Sequence, residues 1–121
     1  MRRSAAECLE VSSEPVAIGF VHGDLIPGNL LTERRRLTAI IDWGSAAYAD
    51  PAQDLAPAWA VFDKRSRLVF REALEVDDAA WLRARAFELE HAVGGVLYYT
   101  SRRHPLADVM ARTLHRVLEE G

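Results

Sequence analysis

Along this chain the spacing of hydrophobic and polar positions changes near residue 50. Before that point apolar residues come in short runs broken by glycine, proline and charge. Beyond it they recur at helical intervals. Val16 to Val21, with Ile18 and Phe20, is a compact apolar run that predicts a buried strand. His22 to Gly28 holds two glycines and Pro27, which predicts a loop. Asn29 to Thr32 and Leu37 to Ile41 are short β-prone runs on either side of Glu33-Arg34-Arg35-Arg36, a charged turn suited to water; together they predict a β-hairpin. Trp43 to Ala49 reads as a further loop, and residues 4–12 as a short helix.

The second part of the pattern is helical. Asp50-Pro51 is a helix-start signal, an N-cap acceptor followed by proline at the first helical position. Leu55, Ala58, Trp59 and Phe62 then share one helix face. A second helix is expected over Arg65 to Glu75, and a third, capped by Asp77, runs to about Tyr99 with Leu82, Ala86, Leu89, Val93 and Val96 on one face. Gly94-Gly95 weakens that helix by roughly 1 kcal/mol per glycine relative to alanine, which marks a kink or a close contact. Pro105 opens the last helix, where Leu106, Val109, Met110, Thr113, Leu114, Val117 and Leu118 follow the helical repeat up to Gly121.

Composition narrows the choice of class. The 121 residues make one domain, and half of them are hydrophobic, enough for a real core. The net charge of −3 argues against a nucleic-acid partner held by bulk positive charge. The longest apolar run, Ala92 to Tyr99, falls well short of the ~18 residues that span a bilayer. Met1-Arg2-Arg3 is not followed by an apolar stretch, so no signal peptide and no membrane association are expected. The single cysteine, Cys8, reads as inert and fits a cytoplasmic protein without disulfides. Lys64 is the single lysine among fifteen basic residues.

The residues that carry chemistry lie between Val21 and Leu55. His22-Gly23-Asp24-Leu25-Ile26-Pro27-Gly28-Asn29 is followed by Ile40-Ile41-Asp42-Trp43-Gly44 and then by Asp50-Pro51-Ala52-Gln53-Asp54-Leu55. With the hairpin turn centred between Arg34 and Arg35, Asn29 falls opposite Ile40. Asp42 lies two residues beyond, at the same open end, and Asp24 sits on the loop leading in. Two carboxylates and an amide oxygen thus converge at one hairpin mouth. Hard oxygen donors of this kind suit Mg²⁺, and Asp24 would be free to orient or deprotonate an attacking hydroxyl.

These three motifs, at this spacing, resemble the catalytic half of the aminoglycoside phosphotransferase (phosphotransferase enzyme) family. The family has a protein-kinase-like fold and includes macrolide, choline and homoserine kinases. The resemblance is strong from Val21 to about Ala56; the region from Ala92 to His104, with Tyr98-Tyr99, is more weakly similar. It implies that Asp24 is the catalytic aspartate that accepts or orients the substrate hydroxyl, and that Asn29 and Asp42 bind Mg²⁺, the latter against the phosphates of ATP. His22 and Asp54 would support the site structurally. It also implies a small-molecule hydroxyl substrate and an α+β fold: a truncated protein-kinase-like C-terminal lobe with short strands, a β-hairpin and about four helices. Ile26 stands where histidine is common in relatives, and Ser45 where an acidic residue is frequent; neither change removes a catalytic group.

Plainer roles compete at several positions. Asp50 reads as a helix cap, Asp54 as a scaffold residue, and Trp59, Trp81 and Phe87 as core. Arg34-Arg35-Arg36 reads as a solvated turn. Glu88, Glu90 and Asp108 read as the wet side of the late helices, with contact to a cationic substrate as the sharper alternative.

A kinase of this fold also has an N-terminal lobe with a loop over the phosphates and a strand lysine. The 21 residues before His22 contain no lysine and no Gly-x-Gly pattern. Three readings follow: part of a phosphotransferase whose missing lobe comes from a partner chain, a remnant that binds without catalysis, or a self-associating module. Apolar surface left uncovered by the missing part predicts a homodimer or higher oligomer.

Overall fold

A computed structural model describes residues 16–120; the short helix expected over residues 4–12, Cys8 and Gly121 lie outside them. The described chain is mixed α/β, with two separate two-stranded antiparallel sheets followed by four α-helices. β1 (Gly19–Val21) pairs with β4 (Ala47–Ala49), and β2 (Leu30–Glu33) pairs with β3 (Arg36–Ile40). The helices are α1 (Ala58–Val61), α2 (Lys64–Ala73), α3 (Asp78–Ser101) and α4 (Leu106–Glu120).

The first strand departs from expectation. It is shorter than Val16 to Val21, and of its apolar residues Val21 is buried while Ile18 and Phe20 are exposed. The reason is its partner: the segment read as a loop, Trp43 to Ala49, contains β4, and the two strands form a thin sheet with one face covered. Side chains alternate across a strand, so Val21 turns inward as Phe20 turns out.

The hairpin forms where expected, with Arg34 and Arg35 as its two-residue turn. Both take positive φ, 52° and 65°, the mirror-image turn geometry that matches strand twist. Its register is not uniform. Glu33 faces Arg36 and Thr32 faces Leu37, but Leu31 faces Ala39 and Leu30 faces Ile40. A bulge between Leu31 and Thr32 therefore moves the open end by one residue. Asn29 consequently meets Ile41, whose N–H donates to the Asn29 carbonyl at 2.9 Å, rather than Ile40.

The helix expected from Pro51 is divided. Pro51–Asp54 is a single 3₁₀ turn, capped by the Asp50 side chain accepting from the Ala52 N–H at 3.0 Å. Pro57, which has no N–H to donate, stands just before α1. Asp63 and Asp77 cap α2 and α3 by accepting from the N–H groups of Ser66 and Ala80. The core gathers on Trp59, fully buried, with Ala52, Ala58, Trp81, Ala84 and Val117 around it. The Trp59 and Trp81 rings lie 4.8 Å apart.

The expected apolar face of α3 holds only in its first half. Leu82 and Ala86 are buried, whereas Val93 is exposed and the inward positions farther along are Ala92 and Gly95. α3 runs unbroken through Gly94-Gly95. A Cβ on Gly95 would stand 2.6 Å from Met110 Cγ and Sδ, so this glycine is the close-contact point of α3 and α4. Arginines close the remaining seams. Arg85 donates to the Val117 carbonyl through Nε and Nη2, at 3.1 and 2.9 Å. Arg116 reaches the carbonyls of Trp59 and Phe62 at 3.1 and 3.3 Å, at the end of α1 where helix geometry leaves acceptors unused.

Candidate active site

The loop between β1 and the hairpin is held by side chains that the sequence singled out. Asp54 turns both carboxylate oxygens toward it: Oδ2 accepts from the His22 N–H at 2.8 Å and Oδ1 from the Gly23 N–H at 3.0 Å. The His22 ring is buried and bonded at both nitrogens. Nε2–H donates to the Ile41 carbonyl at 2.9 Å, and Nδ1 accepts from the Asp24 N–H at 3.1 Å. These two partners fix a neutral imidazole in one tautomer. Its edge rests on the Trp43 ring, 4.5 Å away, and Trp43 Nε1–H donates to the Ile40 carbonyl.

Gly23 is required for a geometric reason. Its φ is +87°, and a Cβ there would lie 2.8 Å from the Ser45 carbonyl oxygen. The turn after β3 crosses the loop too closely for any side chain. The next residue, Asp24, is tied to Asn29, whose Nδ2 donates to the Asp24 carbonyl at 2.8 Å and to its Oδ2 at 3.2 Å. Asn29 is buried at the end of the Pro27–Asn29 3₁₀ turn.

Asp42 stands next to Ile41, the residue that bonds to both Asn29 and His22. Its φ is +60°, the left-handed region that aspartate and asparagine tolerate better than other side chains. Its carboxylate is exposed and has no hydrogen bond or ion pair among the described residues. Backbone held in this region at a polar, exposed position is a recurring mark of functional sites.

His22, Asp24, Asn29 and Asp54 thus form one hydrogen-bonded unit, with Asp42 joined to it through the backbone. The donor set fits a hard cation. Both side-chain bonds of Asn29 use its nitrogen and leave Oδ1 available, and Asp42 offers a free carboxylate. Among the described residues no group of three or more His, Cys, Asp or Glu forms a metal site, so a cation here would rely on the amide together with a carboxylate.

A cleft of about 650 Å³ opens beside Asp24. One wall is the loop at Gly23 to Ile26; the opposite wall is the middle of α3, including Phe87, Glu88, His91 and Tyr98. Phe87 therefore serves the cleft as well as packing against the core. Glu88 also differs from its reading as a wet helix position. It is 3% exposed, and its Oε1 meets His91 Nδ1 at 3.3 Å. That hydrogen bond, with the charges of Glu88 and Asp24, raises the His91 pKa above its ordinary value in spite of partial burial. The i, i+3 spacing of Glu88 and His91 was the available signal for this pair. Asp108 is exposed and lies outside the cleft lining.

Asp50 caps its 3₁₀ turn as expected and also receives Arg83, whose Nε lies 2.9 Å from Oδ2, fastening α3 to the segment that carries Asp54.

A loop, a hairpin end and a capped turn thus fasten acidic and amide groups beside a cleft. Residues 4–87 match the model of the phosphotransferase enzyme family, a span that covers the loop, the hairpin, the Asp54 turn and the first part of α3. The chain belongs to that family. No curated protein and no solved structure matches it. Among the described residues, no helix is long and apolar enough to cross a membrane.

Proposed function

We propose that this chain carries the hydroxyl-activating and metal-holding segment of an ATP- and Mg²⁺-dependent phosphotransferase acting on a small-molecule alcohol. The observation that carries this reading is the bonded unit of His22, Asp24, Asn29 and Asp54 at the rim of a cleft, in a chain of the phosphotransferase enzyme family. Asn29 and Asp42 would hold Mg²⁺, which when bound supplies charge neutralisation for the transferring phosphoryl group. Asp24 Oδ2 stays occupied by Asn29, and Oδ1 would accept the hydrogen bond of the acceptor hydroxyl and then its proton as that oxygen bonds to the γ-phosphorus of ATP and the bond from that phosphorus to the bridging oxygen breaks, releasing ADP. His22 and Asp54 keep the loop in register while this happens.

No lysine or arginine lies among the described residues lining the cleft, so part of the grip on the nucleotide phosphates would come from a partner chain. Lys64 is exposed at the start of α2, outside the cleft, and does not serve that purpose. The test is calorimetric titration of Mg²⁺ and ATP against the wild type and Asp42→Asn, which keeps a side chain suited to the left-handed backbone. Wild-type binding that weakens roughly tenfold or more in the variant supports the reading. No binding to the wild type would sink the idea that this chain forms the metal–nucleotide site unaided.

A second reading has its own observation. Ile18, Phe20 and Tyr48 are 65%, 60% and 79% exposed. Phe20 and Tyr48 face one another across β1 and β4, with ring centroids 5.6 Å apart. A sheet face of this kind fits self-association or a partner chain. In sedimentation, the wild type is expected to associate and Phe20→Asp to run as a monomer; a wild-type monomer at micromolar concentration removes this reading.

A further inference from the structure

The β2–β3 hairpin has an apolar face left uncovered by the described residues. Alternation along β3 puts Leu37, Ala39 and Ile41 on one face, and the pairing of Leu31 with Ala39 adds Leu31 to it. Leu31, Leu37 and Ile41 are all exposed. The two ends of the hairpin carry opposite charge. At the tip, Arg34, Arg35 and Arg36 are exposed and have no ion pair among the described residues; the acid beside them is Glu33, opposite Arg36. Arg34 and Arg35 hold positive φ, where Asn-Gly is the preferred pair, so the turn itself gives no reason for arginine there. At the mouth, Asp42 offers a carboxylate that is likewise exposed and unpaired among the described residues.

Within one chain these complementary ends do not meet. An extended strand rises about 3.3 Å per residue, which separates Arg35 from Asp42 by roughly 20 Å. Two copies remove the obstacle. When two such hairpins pack face to face and antiparallel about a two-fold axis, the tip of each reaches the mouth of the other. Parallel packing would set the two arginine tips against each other and the two mouths likewise, so charge selects the antiparallel arrangement.

We propose that a second copy of this chain completes the site: the Arg34–Arg36 tip of one protomer lies over Asn29 and Asp42 of the other and grips the nucleotide phosphates there. Guanidinium groups suit the task, because they stay charged and bind phosphate oxygens in pairs. They also supply the cationic groups that the described lining of the cleft lacks. The phosphate role rests on the nucleotide reading above; the placement of the tip does not. A face of three aliphatic side chains is at the small end for specific association, so the dimer is weak and sensitive to salt.

Placement is tested first, on the full chain without nucleotide or metal. In sedimentation velocity the wild type is expected to form a dimer at roughly 100 μM, and its association to weaken about tenfold or more as salt rises from about 0.05 to about 0.5 M. Arg34→Asn together with Arg35→Gly removes both charges while giving the turn its preferred residues. This variant should fold at least as stably as the wild type in thermal denaturation and yet run as a monomer. Phe20→Asp, on the other sheet, should remain a dimer. Cross-linking reads the register. With Cys8→Ser in every chain, Arg35→Cys mixed with Asp42→Cys should give a disulfide-linked heterodimer, which needs Cα atoms within about 7 Å of each other. Arg35→Cys alone should give no linked dimer. The phosphate role is then tested by mixing. The Asn-Gly variant and Asp42→Asn should each bind Mg²⁺ and ATP poorly, and their mixture should recover part of the binding, because a mixed dimer sets one intact tip against one intact mouth.

A wild-type monomer, a dimer that survives the Asn-Gly change, dissociation by Phe20→Asp, or a cross-link from position 35 to position 35 in place of 35 to 42 overturns the proposal. ATP binding of wild-type strength in the Asn-Gly variant overturns the phosphate role. A wild type that forms the 35 to 42 cross-link but binds no ATP marks failure of the nucleotide reading and leaves the paired hairpins standing.

Discussion

Between residues 16 and 56 the backbone is fastened by polar side-chain atoms; between residues 58 and 120 it is fastened by packing around Trp59. In the first region Asp54 bonds two consecutive N–H groups, His22 bonds one strand end and one loop residue, and Asn29 bonds Asp24, while Ile18, Phe20, Leu31, Leu37, Ile41 and Trp43 face water. In the second region Trp59, Trp81, Ala84 and Val117 are buried together and arginines close the helix seams. The difference teaches where precision comes from. Packing gives the helical body its stability, whereas directional bonds set the position of the chemically useful groups to within a hydrogen bond length.

The harshest way to break the comparison is Trp59→Ala. Removing a fully buried indole from the centre of the core should cost about 3–5 kcal/mol and unfold both regions together in thermal denaturation. Separate transitions would show that the loop region stands without the helical body.

Asp54→Asn comes next. It keeps one acceptor oxygen, removes the charge and turns the other oxygen into an N–H₂ donor facing an N–H group. The expected cost is about 1–3 kcal/mol. Hydrogen exchange should quicken at the His22 and Gly23 amides and stay nearly unchanged in α3 and α4. Uniform loss of protection would mean that this clamp stabilises the whole chain rather than the loop.

A pair of substitutions on α3 sharpens the packing side. Gly94 has open space at its Cβ position, so Gly94→Ala should stabilise by about 0.5–1 kcal/mol through helix propensity. Gly95→Ala meets Met110 and should destabilise by about 1–2 kcal/mol, softened by the flexibility of the methionine. Equal effects in urea denaturation would contradict the close approach of α3 and α4.

The smallest effect concerns Asp63. Its pKa is lowered, first by accepting the Ser66 N–H and then by its bond to the Ser66 side chain. The folded pKa lies below the unfolded value, so the stabilisation is present above pH 3.8 and is lost as pH falls through the folded value. Asp63→Asn retains a capping oxygen without the titration, and should flatten the acid limb of the stability profile slightly while leaving neutral-pH stability almost unchanged.

Much of this organisation was legible because local signals had local causes. Asp63 escaped as a cap, but Asp50 and Asp77 announced caps, the apolar repeat announced α3 and α4, and the loop motif placed His22, Asp24 and Asn29 within reach of each other. What escaped depended on distant partners. β4 is a strand only because β1 lies beside it, and Val16 to Val21 looked buried because its apolar residues did not reveal that one sheet face is uncovered. The bulge after Leu31 has no marker in a run of β-prone residues, yet it moves Asn29 from Ile40 to Ile41. Glu88 looked like solvent-facing charge because helical periodicity does not show that a loop lies across from it.

The arginine seams bear on how the molecule answers its surroundings. Arg85 and Arg116 hold backbone carbonyls with guanidinium groups, which keep their charge throughout the range in which proteins work. Those joints are deaf to acidity. Of the four histidines, His22 lies in the loop clamp and His91 on the cleft wall, whereas His104 and His115 lie on the exposed side of the helical body. Protonation of His91, whose pKa its bond to Glu88 raises, acts on the cleft wall, while the Arg85 and Arg116 joints keep their charge and become a fixed ruler against which changes at the cleft can be measured.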